Sequence, residues 1–268
     1  MSDVAQAAED SEWLDRMAAA GLVAFGVVHV VLGWLAVQLA FGDRKGGAST
    51  TGAVKQLAEQ PFGSVLVWLV AIGMALLVIW RGTEAAVGYH DEDGAKRTYK
   101  RLVAAGKAVV YATIAASAVG VATGSSSSGK GGGTDSMTGK LMDQPAGQLL
   151  VGAVGLGVIG AGIGLLVAAW KESYLKHLDI DGRTGKDGRA FRWFGRAGHI
   201  AKGISLGVVG GLFLYAAVSH DPKKSGGLDQ ALRTVLDQPF GPVLLTLMGL
   251  GFAAYGLFCF AEARHLDR

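Results

Sequence analysis

The sequence predicts an all-α membrane protein: six transmembrane helices forming three tandem helical hairpins with pseudo-threefold symmetry about the membrane normal. Three observations lead there. Of 268 residues, 50% are hydrophobic and 18% charged, whereas a soluble domain carries ~25% charged residues. The apolar residues gather in six runs, each of about 17–24 residues, and a bilayer core of ~30 Å needs ~20 helical residues. One short motif recurs three times along the chain. The 42 glycines exceed twice the ordinary ~7% share, but no Gly-X-Y period makes them collagen, and the apolar content excludes global disorder.

The first run, Ala18–Phe41, follows an acidic, polar start whose residues 1–12 read as a disordered tail. That start lacks the basic residues and short apolar stretch of a cleaved signal peptide. The later runs are Ser64–Trp80, Leu102–Thr123, Gln148–Trp170, Ala197–Val218 and Gly241–Ala261. None alternates polar and apolar residues, so a β-barrel is disfavoured. In lipid the backbone must satisfy its own hydrogen bonds, which leaves helices. The residues flanking the spans on the side of both termini include 15 Lys and Arg, against 8 on the other side. That excess places both termini in the cytoplasm of a multi-pass protein of the inner (plasma) membrane.

Internal repetition sets the domain plan. Glu59-Gln60-Pro61-Phe62-Gly63, Asp143-Gln144-Pro145-Ala146-Gly147 and Asp237-Gln238-Pro239-Phe240-Gly241 each open an even-numbered span. Gly73, Gly157 and Gly251 follow at one fixed distance from the prolines. The odd spans align as well: Phe25-Gly26-Val27-Val28-His29 with Lys107-Ala108-Val109-Val110-Tyr111 and Lys202-Gly203-Ile204-Ser205-Leu206. The repeats are therefore 13–90, 91–180 and 181–268. Each holds two spans, so all enter the membrane in one sense, as parallel repeats do. Gln60, Pro61, Gln144, Pro145, Gln238 and Pro239 read as a helix-capping motif. Proline fits a first helical turn, and the acid and Gln can accept free N–H groups. Thr51–Glu59 and Leu228–Asp237, just before it, read as short amphipathic helices at the interface.

Three tandem hairpins, with a Lys-Gly pair as at Lys202-Gly203 in the odd span and Gln-Pro-Phe-Gly before the even one, resemble a bacterial integral-membrane family. That family is known as a domain of unknown function present in three copies per chain. The resemblance runs from Trp13 to Arg264, departing at Phe25, where the other repeats have Lys107 and Lys202, and at Ala146, where the others have Phe. It implies this fold and a bacterial, actinobacterial-type inner membrane. It implies no activity and no catalytic residues.

Several motifs that resemble chemistry lack its context. Gly124-Ser-Ser-Ser-Ser-Gly129-Lys130 begins like a phosphate-binding loop, but Gly131 stands where Ser or Thr should hold magnesium, and no strand precedes it. A flexible linker is the reading. Gly155-x-Gly157-x-x-Gly160 lies inside an apolar span without a βαβ unit. Glycines four apart, namely Gly160/Gly164, Gly203/Gly207, Gly207/Gly211 and Gly120/Gly124, predict close helix packing instead. Asp179-Ile-Asp181-Gly182 reads as a cytoplasmic turn, since Arg183 and Ala190 occupy calcium-ligand positions. Cys259 is the single cysteine, so it reads as a small buried hydrophobe. No metal site, cofactor or enzymatic constellation is expected.

Ionisable residues within spans are the functional candidates, because burying them in lipid is costly. His29, near mid-membrane, is a candidate proton acceptor, metal ligand or haem ligand, or else a buried imidazole bonded to a neighbouring carbonyl; a lone His supports haem poorly. Lys107 and Lys202 occupy one equivalent position, either as snorkelling anchors or, with Arg101, Arg196 and His199, as a basic vestibule for an anion or an anionic lipid headgroup. Glu84 and Glu262 are candidate charge partners of those lysines. The leading functional class is a small transporter or channel for an ion or small solute along the repeat axis. The alternative is a structural or regulatory membrane subunit binding lipid or another membrane protein. The expected partners are membrane lipids, anionic ones included, and a second copy or another membrane protein. Nucleic acid is not expected, since a net charge of +3 is modest.

Overall fold

A computed structural model describes residues 2–42, 47–90, 92–125, 134–177 and 188–265. Every regular element among them is helical: α1 (Ser2–Ala40), α2 (Thr50–Ala58), α3 (Gly63–Val87), α4 (Gly94–Ala122), α5 (Thr134–Met142), α6 (Gly147–Lys171), α7 (Gly188–Ser219), α8 (Leu228–Leu236) and α9 (Gly241–Arg264). Short 3₁₀ turns occupy Ser173–His177 and Pro222–Lys224. Six helices are long and apolar enough to cross a membrane: Arg16–Ala40 within α1, and the whole of α3, α4, α6, α7 and α9. The expected runs lie within these helices, give or take a terminal residue. Where helices outlast the runs, as α3, α4 and α7 do, the added turns are polar, because extending a formed helix costs little. Residues 2–12 belong to α1, since the Ala-rich segment propagates a helix already begun in the span. The phosphate-loop look-alike lies largely outside the described residues, as does Asp179-Ile-Asp181-Gly182.

The repeated motif is a turn, not a cap. Phe62, Ala146 and Phe240 are left-handed, with φ of 61°, 58° and 61°. In each copy the glycine N–H donates to the Gln carbonyl at 2.8 Å. This is the pattern of a type II turn, with Pro second and a positive φ third. Helices α3, α6 and α9 begin only at Gly63, Gly147 and Gly241, with no side-chain cap. Gln60, Pro61, Gln144, Pro145, Gln238 and Pro239 therefore precede the helices they were expected to cap. Two of the Gln side chains point backwards: Gln60 Nε2 donates to the Gln56 carbonyl and Gln238 Nε2 to that of Thr234.

The short helices α2 and α8 form where amphipathic ones were expected, and α8 turns Ala231, Leu232 and Val235 into the core. They sit between the odd and even spans, as α5 does. Each of the three touches another repeat. Thr51 of α2 donates to Ser117 of α4 at 3.3 Å. Gly139 of α5 lies against the Pro222 ring, and the Ala48 N–H donates to Asp229 of α8 at 2.8 Å.

The spans pack most extensively as α1 with α9, α6 with α7, and α3 with α4; α7 with α9 and α1 with α3 follow. The three largest interfaces thus join different repeats. The second repeat departs from the expected hairpin, because α4 and α6 do not form a packed pair.

Candidate functional site

The charged and aromatic side chains of five spans meet beside the α1/α9 interface. Phe25 and His29 come from α1, Arg81 and Glu84 from α3, Lys107 and Tyr111 from α4, Lys202 from α7, and Tyr255 and Glu262 from α9. Helical spacing makes this possible, since residues four apart share a face. Rings of Phe25 and Tyr111 stand edge-to-face at 5.0 Å, and those of His29 and Tyr255 lie tilted at 4.9 Å. Over this aromatic bed lies Lys202, its Nζ 3.8 Å from the Tyr255 ring centroid and 5.0 Å from that of Phe25. An ammonium so placed trades part of its hydration for the ring faces.

Glu262 answers the positive charge. Its carboxylate lies in the field of Arg81, Lys107 and Lys202. Glu84 lies in the field of Lys107 as well. Its nearest cation is Arg81, three residues earlier on its own helix, at 2.6 Å. The Tyr89 hydroxyl also donates to Glu84, at 3.3 Å. Arg81 was missed from sequence because the apolar run ends at Trp80, which made the arginine read as loop. The i,i+3 pairing with Glu84 was the available signal that the helix continued. Arg81 is 8% exposed, stacks at 3.8 Å on Trp80, and keeps a buried Nε with no hydrogen-bond partner. An unpaired buried donor is costly, which makes this N–H a place where a ligand atom or water would be stabilised.

The remaining candidates divide. His29 is buried, and its Nδ1 bonds the Phe25 carbonyl at 2.9 Å. A carbonyl only accepts, so Nδ1 carries a proton. His199 makes the same bond to Gly195 at 2.7 Å, stacks on Tyr174 at 4.8 Å and sets its ring edge-to-face against Tyr255 at 5.3 Å, so it adjoins the cluster. Arg196 lies toward Tyr174. The Tyr174 hydroxyl donates to the Arg192 carbonyl at 2.7 Å, and burial pushes its phenol up to about 12. Arg101 donates to the Gly88 carbonyl at 3.1 Å, so it caps the end of α3. Of the residues read as one vestibule, His199 adjoins the Lys202 site through Tyr255, Arg196 lies toward Tyr174, and Arg101 caps α3. Cys259 is fully buried, as expected. Among the described residues no three His, Cys, Asp or Glu side chains are placed to hold a metal ion.

Comparison with known proteins agrees with the repeat plan. The family described as Domain of Unknown Function (DUF1206) matches three times, over residues 20–88, 102–172 and 197–265. The chain is 30% identical to "Uncharacterized protein YxxB" of Bacillus subtilis (strain 168) over 261 residues, covering 96% of this chain and 92% of that one. No solved structure matches the chain significantly. Three successive matches that bracket the six long helices, together with a bacterial relative aligned almost end to end, make this chain a member of the DUF1206 family.

Proposed function

We propose that this protein is a six-pass protein of the bacterial inner membrane, with both termini cytoplasmic, that moves an ion or small solute along the axis relating its three repeats. The observation that carries the reading is the convergence of Arg81, Lys107, Lys202, Glu84 and Glu262 from four apolar helices. Ionisable groups are expensive in hydrocarbon and are retained where a polar path or ligand uses them. Three cations against two carboxylates leave a positive balance, so the preferred traveller is an anion.

The packing supports a rotational relation among the repeats. Pairing α3 with α4, α6 with α7 and α9 with α1 is one rule applied three times: even span against the next odd span. The outer helices follow the same order, α2 reaching the second repeat, α5 the third and α8 the first. We read the protein as non-enzymatic.

The test is flux. Purified protein in liposomes should pass a small anion faster than empty vesicles, and neither sodium nor protons should substitute. Lys107→Ala and Lys202→Ala should each slow that flux by about tenfold, the effect of losing ~1.4 kcal/mol of interaction with the traveller. Flux equal to empty vesicles for anion, cation and proton would sink the reading. The second reading, a lipid- or protein-binding subunit, rests on the exposure of α4 and α6 along their length. It expects co-purified anionic lipid, reduced in the same variants, without flux.

A further inference from the structure

The first and third repeats close their own helix pairs through residues at matching positions, and the second repeat has small residues at those positions without the contact. In the first repeat, a Cβ added to Gly73 would lie 2.4 Å from the Ala24 Cβ. In the third, one added to Gly251 would lie 2.4 Å from the Ala201 Cβ. By the same spacing from the prolines and from Phe25, Lys107 and Lys202, the second repeat presents Gly157 on α6 and Gly106 on α4. An added Cβ at either meets nothing within 4 Å.

One turn away the match is also kept. Gly21 receives the Leu77 side chain and Gly198 receives Tyr255. Their counterparts are Val103 on α4 and Ala161 on α6, with the large and small partners exchanged. Both are exposed. A lipid-facing surface has no need of a glycine opposite a glycine, nor of a small residue opposite a larger one. Two helices that pack closely do.

We propose that α4 and α6 form a lateral gate that closes through Gly106/Gly157 and Val103/Ala161, completing a ring of six spans, and that the open seam is the other state of the same device. Lys107 adjoins Gly106, and its exposure follows from the opening. Phe25, its counterpart beside a closed seam, is 4% exposed. An open seam joins the Arg81–Lys107–Glu262 cluster to the lipid, and a closed one turns Lys107 to the interior. The gate rests on the rotational relation of the repeats and not on transport.

Cross-linking in native membranes tests it without reference to flux. In a Cys259→Ala background, Gly106→Cys with Gly157→Cys and, separately, Val103→Cys with Ala161→Cys are oxidised mildly. A specific protease site in the 124–133 linker is then cut. A disulfide needs Cα atoms within about 7 Å, so closure should hold the two fragments of one chain together until reduction. The joined fraction should exceed that of Val109→Cys with Leu156→Cys, exposed neighbours of the seam, on the order of tenfold. Two pairs are used so that one poorly folding variant does not decide the result. If neither pair joins its fragments in protein that retains its thermal transition, the gate is wrong. It is equally wrong if the disulfides form only between chains, which would make the seam a contact between copies.

Discussion

A single carbonyl explains why the last residue of each Gln-Pro-x-Gly motif is glycine. A Cβ at Gly63, Gly147 or Gly241 would lie 2.1, 2.1 or 1.9 Å from the carbonyl oxygen of Ala58, Leu141 or Leu236. Those distances are far inside contact, and the obstacle is backbone of the preceding short helix, which cannot rotate away. Gly241→Ala should therefore lower stability by about 2 kcal/mol, within the range of overpacking. Gly160→Ala, whose added methyl meets nothing within 4 Å, should leave stability unchanged or raise it slightly through helix propensity. Thermal unfolding in detergent compares the two, and equal transitions would refute the steric account. The sequence displayed this motif openly, but its role was misread. Proline before a helix suits both a first turn and a turn outside it, and only the positive φ of Phe62, Ala146 and Phe240 separates them.

At the scale of elements, glycines seven apart define the close interfaces. Gly26 and Gly33 of α1 face Gly256 and Gly249 of α9; an added Cβ on Gly33 would lie 2.5 Å from the Gly249 carbonyl oxygen. Gly155 and Gly162 of α6 face Gly210 and Gly203 of α7 in the same way, with added atoms 2.7 to 2.9 Å from the facing carbonyls. A seven-residue interval returns a residue to nearly the same face, so antiparallel helices approach along a continuous line. The glycines four apart behave otherwise. Gly160, Gly164, Gly207 and Gly211 all meet open space, although Gly203 does pack. A four-residue interval drifts round the helix, and the partner's position, absent from the sequence, selects which face is used. Gly249→Leu should separate α1 from α9 and cost about 3 kcal/mol, whereas Gly164→Leu should cost little. Chemical denaturation of the two variants in mixed micelles checks this, and equal midpoints would count against the assigned interface.

For the whole molecule, the open question is how six spans sit across the bilayer. The proposed orientation would have the ends of α3 and α6 inside and the α2, α5 and α8 helices outside. Lys223→Cys, exposed in the outer 3₁₀ turn, should react with an impermeant maleimide on intact cells. Lys176→Cys, exposed in the turn after α6, should react only after permeabilisation. The reverse pattern would invert the protein. A single residue pair supports the overall closure: Asp229 of the third repeat holds the Ala48 N–H of the first, 181 positions away. Such a bond turns a linear array of repeats into a closed one at this end, while the seam between α4 and α6 stays parted.

The sequence by itself determined the six spans, the three repeats and the short helices between them, because each follows from local causes. Lipid forces a backbone to bond within its own helix, and a repeated motif announces itself by identity. Only the meeting of distant helices settles that the strongest interfaces join different repeats, that Arg81 completes the charged cluster, and that Arg101 caps α3 instead of joining it. Those outcomes depend on which faces of distant helices meet and at what depth, and apolar runs in a lipid solvent are silent about both, since every face of such a helix is acceptable to hydrocarbon.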